Sequence, residues 1–424
     1  MSTSTNNKSP TIKHLVIAAG GPSGCTMYGA LRLLNQEGVW NINDIKTMYG
    51  SSVGSFIAVL LSLNYEWKTM DTFLLKRPWS KIYMSPSSSI IGTATSGVAA
   101  SIAEATSKAA SYAFDAKNKL DTISKLYHQC GIYGIKEFTE SLRPAMEGKD
   151  FNVNVTMKEF YDKTGIELHF VVTELNKFES VDMSYKTHPN QSLIEACYMS
   201  CCYPFIFTPI FRDGCVYIDG AIINDYPLNN CIRSQKCDIR EILGVKMEWE
   251  RIPASLNETT TFTNFIYGFF NQISANMFEN RLVETIPNEV ICFSKIQELR
   301  DWVDVVKDEN CRRELIVRGE TFAKLFLSYR RNHSLLHKNN VIHTNIDATN
   351  IDATNIDATN IDASNIDASN IDASNIDASN IDASNIYLDT MINEDQTITP
   401  SIADSENEIT ETDIDISGIF IEGN

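Results

Sequence analysis

Apolar runs and glycine-bearing turns alternate along the first part of the chain. Residues 14–19, HLVIAA, form an unbroken apolar run ending in glycines, the pattern of a strand buried on both faces. Met27, Ala30, Leu31 and Leu34 then recur at helical spacing, and Gly38 supplies a stop. A second run over 45–49 leads into Gly50, and residues 55–63 are apolar and compatible with a helix. Strand, glycine turn and helix therefore occur twice within 65 residues. This alternation predicts an α/β fold with a mainly parallel central sheet flanked by helices. Further strands are predicted at 166–174 and 239–249, and a short one at 216–218 that ends at Asp219. Residues 262–283 and 309–331 read as helices with apolar residues on one face.

Other segments break this pattern. Residues 1–13 read as a disordered lead-in. Residues 84–115 are rich in Ser, Ala, Thr and Gly, which suits either a flexible insertion or a mobile cap over a binding cleft. The expected organisation is a catalytic domain over 14–250, a helical part over 251–344, a repeat over 345–384 and an acidic tail over 385–424. The repeat comprises eight tandem copies of Asn-Ile-Asp-Ala-Thr/Ser. One Ile in five residues buries little, so the repeat reads as disordered or as a short β-helix similar to pentapeptide-repeat proteins.

Charge changes the picture because it is local. The net charge is −18, yet residues 345–424 hold 18 of the 54 acids and no Lys or Arg, leaving 36 acids against 36 bases in the body. A neutral body gives no electrostatic basis for nucleic-acid binding, and the acidic tail opposes tight docking on anionic lipid. What the tail binds is not encoded in its composition. The ten cysteines show no zinc-type spacing with histidines, and neither a signal core nor a membrane-spanning apolar run is evident. These features lead to the expectation of an intracellular protein, cytoplasmic or peripheral to membranes.

Three motifs carry chemistry. Gly50-Ser51-Ser52-Val53-Gly54 has GxSxG spacing between a strand and a helix, where Gly50 and Gly54 relieve crowding around an exposed serine hydroxyl. Upstream, Ala19-Gly20-Gly21-Pro22-Ser23-Gly24 can aim backbone amides at an oxyanion or a phosphate, but Ala19 departs from the dinucleotide pattern. A nucleophilic serine needs a base. The seven histidines stand in no evident motif, and about 50 residues before Ser52 leave little room for an α/β-hydrolase arrangement. Asp219, followed by Gly220 and Ala221, offers a carboxylate at a strand end.

In this order the motifs resemble the patatin-like phospholipases. The resemblance runs over about 14–250 and includes GCTMYGALRLLNQEG at 24–38, VTEL at 172–175, EACYMSCCYPFIFTPI at 195–210 and DGAIINDYPL at 219–228. It implies a Ser52–Asp219 dyad, an oxyanion loop drawn from Gly20, Gly21, Ser23 and Gly24, no cofactor and no metal. It also implies hydrolysis of an acyl ester in a phospholipid or acylglycerol through an acyl-enzyme, with transient contact at a membrane surface. Two positions depart from the family pattern: Ala19 replaces a glycine, and Ser23 replaces a basic residue. The competing readings are a His-dependent serine hydrolase and a non-catalytic lipid-binding scaffold with a lapsed site.

Overall fold

The computed structural model describes residues 10–83, 124–249, 284–294 and 299–343, with a few isolated positions between 257 and 272. The 84–115 insertion, the repeat, the acidic tail and most of 262–283 lie outside the described residues.

The described residues form strands β1 (His14–Ile17), β2 (Thr47–Ser51), β3 (Gly131–Tyr133), β4 (Glu167–Glu174), β5 (Glu179–Met183), β6 (Phe205–Phe207), β7 (Ile210–Arg212), β8 (Cys215–Asp219), β9 (Ile242–Trp249) and β10 (Glu289–Ser294). The helices are α1 (Gly24–Gln36), α2 (Val53–Ser62), α3 (Trp67–Lys76), α4 (Trp79–Tyr83), α5 (Ile135–Glu147), α6 (Met157–Thr164), α7 (Leu193–Cys201), α8 (Leu228–Gln235), α9 (Leu299–Lys307) and α10 (Glu309–His343).

The central sheet runs β10-β9-β1-β2-β4-β8-β7, with β5 also paired to β4. Pairing is parallel from β10 to β4 and antiparallel at β4–β5, β4–β8 and β7–β8. The mainly parallel expectation thus describes the centre but misses one edge. Short connections force the β4–β5 and β7–β8 pairings, because parallel neighbours need a long crossover. Between β7 and β8 stand only Asp213 and Gly214, with φ of 51° and 74°, the two positive values of a type I′ hairpin turn.

The parallel strands read as apolar runs because helices cover both faces. Consecutive residues of β2 point to opposite faces. The Tyr49 hydroxyl accepts a hydrogen bond from Gln235 of α8 at 2.8 Å, whereas a Cβ placed on Gly50 would meet the backbone of Gly54 and Ser55 in α2. α8 and α2 therefore lie on opposite sides of the sheet.

Several boundaries differ from expectation. β1 ends at Ile17: the Ala18 amide still bonds Val245 O of β9 at 3.0 Å, but the Ala19 amide turns to Asp225 O at 2.7 Å. Residues 239–241 form a turn in which Asp238 accepts from the Arg240 amide, and β9 starts only at Ile242. Ordered packing begins before His14, since Ile12 is buried and Lys13 pairs with Glu241.

The C-terminal helices anchor to the same body. α10 crosses α1 at glycines: a Cβ on Gly29 would lie 2.1 Å from Ile316 O, and one on Gly319 would lie 1.9 Å from Thr26 O. Arg312, on α10, is buried and donates to Leu74 O and Leu75 O in α3 and to Val305 O and Val306 O in α9, at 2.6–3.1 Å. The cation thus neutralises two helix C-termini at once. Arg312→Ala should destabilise the protein by about 2–4 kcal/mol, because four buried carbonyls lose their donor. Urea unfolding checks this, and a loss below about 0.5 kcal/mol would contradict the assignment.

Candidate active site

β2 runs into a sharp turn at Ser52, which adopts φ 52° and ψ −127° before α2 begins at Val53. A side chain rarely occupies this mirror-β region, and the strain is of order 1–3 kcal/mol. The flanking glycines make the turn sterically feasible. A Cβ on Gly50 would lie 2.5 Å from the Ser55 amide nitrogen, and one on Gly54 would lie 2.3 Å from Ile17 O. Ser52 is 8% exposed.

The Ser52 hydroxyl donates to Asp219 Oδ2 at 2.7 Å. Asp219 ends β8, is fully buried, and accepts the Ala221 amide on Oδ1 at 2.8 Å. Burial pushes the Asp219 carboxyl up to about 7, and the bonds from Ser52 and Ala221 only partly offset that rise. At neutral pH it is therefore balanced between acid and base.

The turn after Asp219 is pressed onto β4, where a Cβ on Gly220 would lie 2.1 Å from Val171 O. Residues 224 and 225 then stitch the motifs together. Asn224 O accepts from Ser51 Oγ at 2.8 Å, and Asp225 O accepts from the Ala19 amide at 2.7 Å. The aspartate segment thus bonds to both the nucleophile strand and the glycine-rich loop.

That loop is partly committed to its own turn. The Ser23 amide donates to Gly20 O at 3.0 Å, and the Gly24 amide donates to Gly21 O. Both were expected as oxyanion donors, and both are occupied. The amides of Gly20 and Gly21 have no acceptor among the described residues. Gly21 has φ 48°, and a Cβ there would lie 2.7 Å from the Trp302 ring of α9. The Ser23 hydroxyl is bonded to that of Ser294 at the end of β10.

The described histidines have other partners. His14 bonds Thr47, His188 bonds Thr187, and His128 packs on Tyr127. His169 stacks on Tyr49 with ring centroids 3.9 Å apart and bonds Asp182 at 2.8 Å. Burial lowers the His169 pKa, but its bonds to Asp182 and Glu167 outweigh this and raise it. None of these four hydrogen-bonds to Ser52.

The patatin-like phospholipase profile matches residues 15–232, about half of the chain. The chain belongs to the patatin-like phospholipase family. A probable lipid hydrolase of Invertebrate iridescent virus 6 is 24% identical over 308 residues, which cover 72% of this chain and 92% of that protein. An uncharacterized protein of Acanthamoeba polyphaga mimivirus is 25% identical over 217 residues, covering 51% of this chain and 60% of that protein. Among solved structures, VipD from Legionella pneumophila aligns over 76% of this chain and 67% of its own, at 16% identity and a TM-score of 0.40.

The sequence places Ser200, Cys201, Asn224 and Asp225 in segments that resemble the family but gives them no role, and it does not single out Trp302. Ser200 carried a signal, as a polar residue inside the otherwise apolar helix LIEACYMSC. Asn224 and Asp225 act through carbonyl oxygens, which residue identity does not reveal.

The raised pKa of Asp219 has a consequence for stability. Its protonated form is favoured in the fold, so its contribution is fully present below the unfolded pKa near 4 and is lost as pH rises through about 7. Asp219→Asn preserves a donor and an acceptor while removing the buried charge. At pH 8 it should be more stable than the parent by at least about 1 kcal/mol, with the difference shrinking at pH 5. Denaturant titrations at both pH values measure this, and a less stable variant at pH 8 would refute the burial argument.

Proposed function

We propose that the protein is a lipid acyl hydrolase in which Ser52 is the nucleophile and Asp219 the base. The observation that carries this reading is the 2.7 Å bond between Ser52 Oγ and a buried Asp219 whose basicity is raised toward neutrality. Family membership supports an ester of a phospholipid or acylglycerol as substrate.

In this mechanism Ser52 Oγ attacks the acyl carbonyl while its proton passes to Asp219 Oδ2. Negative charge develops on the carbonyl oxygen and is met by the amides of Gly20 and Gly21, at a loop that leads into the N-terminus of α1. Collapse expels the alcohol, which takes the proton back from Asp219. Water then attacks the acyl-enzyme, and Asp219 again accepts a proton. Release of the fatty acid restores Ser52. A carboxylate can act alone here because desolvation supplies the basicity that a histidine would bring.

Such substrates sit in aggregates or bilayers, so the reading includes transient contact with a lipid surface. Among the described residues no helix is long and apolar enough to cross a membrane.

Replacing Ser52 with Ala should lower the hydrolysis of a long-chain ester by at least about 1,000-fold with the fold retained. Activity equal to the parent would end the assignment. The pH profile is an independent check. Asp219 must be ionised to act, so kcat/KM should climb about tenfold per pH unit below 7 and level off above it. A rate that does not vary between pH 5 and 8 would exclude Asp219 as the base.

A further inference from the structure

Two adjacent side chains of α7 grip the backbone of Ser52 at both of its polar atoms. The Ser52 amide donates to Ser200 Oγ at 3.1 Å, and Cys201 Sγ donates to Ser52 O at 2.9 Å. The Ser200 hydroxyl has one proton, which goes to Val171 O on β4 at 2.6 Å. It must then accept from its other neighbours, the Ser52 amide and Ser55 Oγ at 2.8 Å. Its hydrogen-bonding capacity is thereby filled. Ser200, Ser55 and Cys201 are all buried. Burial raises the Cys201 thiol well above its usual pKa, so it remains an S–H donor.

The anchor for this grip is Val171 O, the same carbonyl against which Gly220 is packed. Val171 pairs in register with Ser51, and the next residue, Val172, pairs with Asp219. Ser200 thus references the backbone of Ser52 to the strand segment that also locates Asp219. Ser52 sits in a conformation that its own side chain disfavours, so outside contacts must hold it there.

We propose that Ser200 and Cys201 are positioning residues that clamp the Ser52 peptide and so fix its hydroxyl against Asp219. The proposal rests on the reading of Ser52 as the nucleophile. Without the clamp, the Ser52 amide loses its acceptor and Ser52 O keeps only the bond from the Ser55 amide at 2.9 Å, so the turn can relax and swing Oγ away from Asp219. Displacements near 1 Å at a reacting atom cost about 100-fold in rate.

The test combines kinetics, labelling and amide exchange on the full chain. Ser200→Ala should lower kcat about 100-fold with KM unchanged, and should slow fluorophosphonate labelling of Ser52 in proportion. Hydrogen exchange at the Ser52 amide should quicken at least about tenfold, because its acceptor is gone. Cys201→Ala should lower kcat less, and Cys201→Ser should restore most of it, since a hydroxyl can donate to the same carbonyl. Unchanged exchange and unchanged kcat in Ser200→Ala would overturn the clamp. If Ser200→Ala does not fold, the Cys201 pair decides: equal kcat in Cys201→Ala and parent overturns the proposal, and loss in Ala with recovery in Ser upholds it. A parent that forms no adduct at Ser52, but whose amide exchange responds to Ser200→Ala, upholds the clamp and overturns the nucleophile reading.

Discussion

The bond between Ser52 and Asp219 joins residues 167 positions apart, and the rest of the site is arranged around its length. The strands that deliver the two residues meet on one edge of β4, where Ser51 pairs with Val171 and Asp219 with the next residue, Val172, while β5 takes the other edge. Hydrogen-bond contact requires both side chains to turn toward that junction. On the Ser52 side this is achieved by a turn with positive φ, and on the Asp219 side by Gly220 lying directly on Val171 O. A bulkier residue at Gly50, Gly54 or Gly220 would move one partner by more than the bond tolerates.

Burial then determines what the bond can do. A carboxylate in water is a poor base for a serine hydroxyl. Taken fully out of solvent, Asp219 titrates near neutrality, and its ionised form is stabilised by the Ser52 hydroxyl and the Ala221 amide. The cost is a charge that the fold would be more stable without. In the proposed mechanism, function and stability are therefore opposed at this carboxylate.

Chain beyond residue 232, where the family match ends, also shapes the site. The Ser294 hydroxyl at the end of β10 bonds Ser23, and Trp302 of α9 lies against Gly21. Arg312 fixes α9 through its C-terminal carbonyls, and α10 locks onto α1 by paired glycines. The glycine-rich loop is therefore held from outside the matched region, at the position where Ser23 replaces a basic residue.

The parallel centre of the sheet, α1, α2 and the positions of Ser52 at a strand-to-helix turn and Asp219 at a strand end were legible in the sequence. Each depends on local physics: apolar runs that must be buried, apolar residues at helical spacing, and glycines flanking a serine where a tight turn needs them. The antiparallel edge was missed although Asp213-Gly214 favours a hairpin, because β7 and β8 are too short to display alternation. Residue identity did not reveal which loop amides lack an acceptor among the described residues, since Ser23 and Gly24 donate to the backbone carbonyls of Gly20 and Gly21 in a local turn; the longer-range contacts were left to tertiary structure. It alone placed Ser200 and Cys201 on the two polar atoms of Ser52, and Asn224 and Asp225 between the motifs. Residue type records what a side chain can donate or accept. Which partner it meets depends on how distant segments approach, and no local pattern carries that distance.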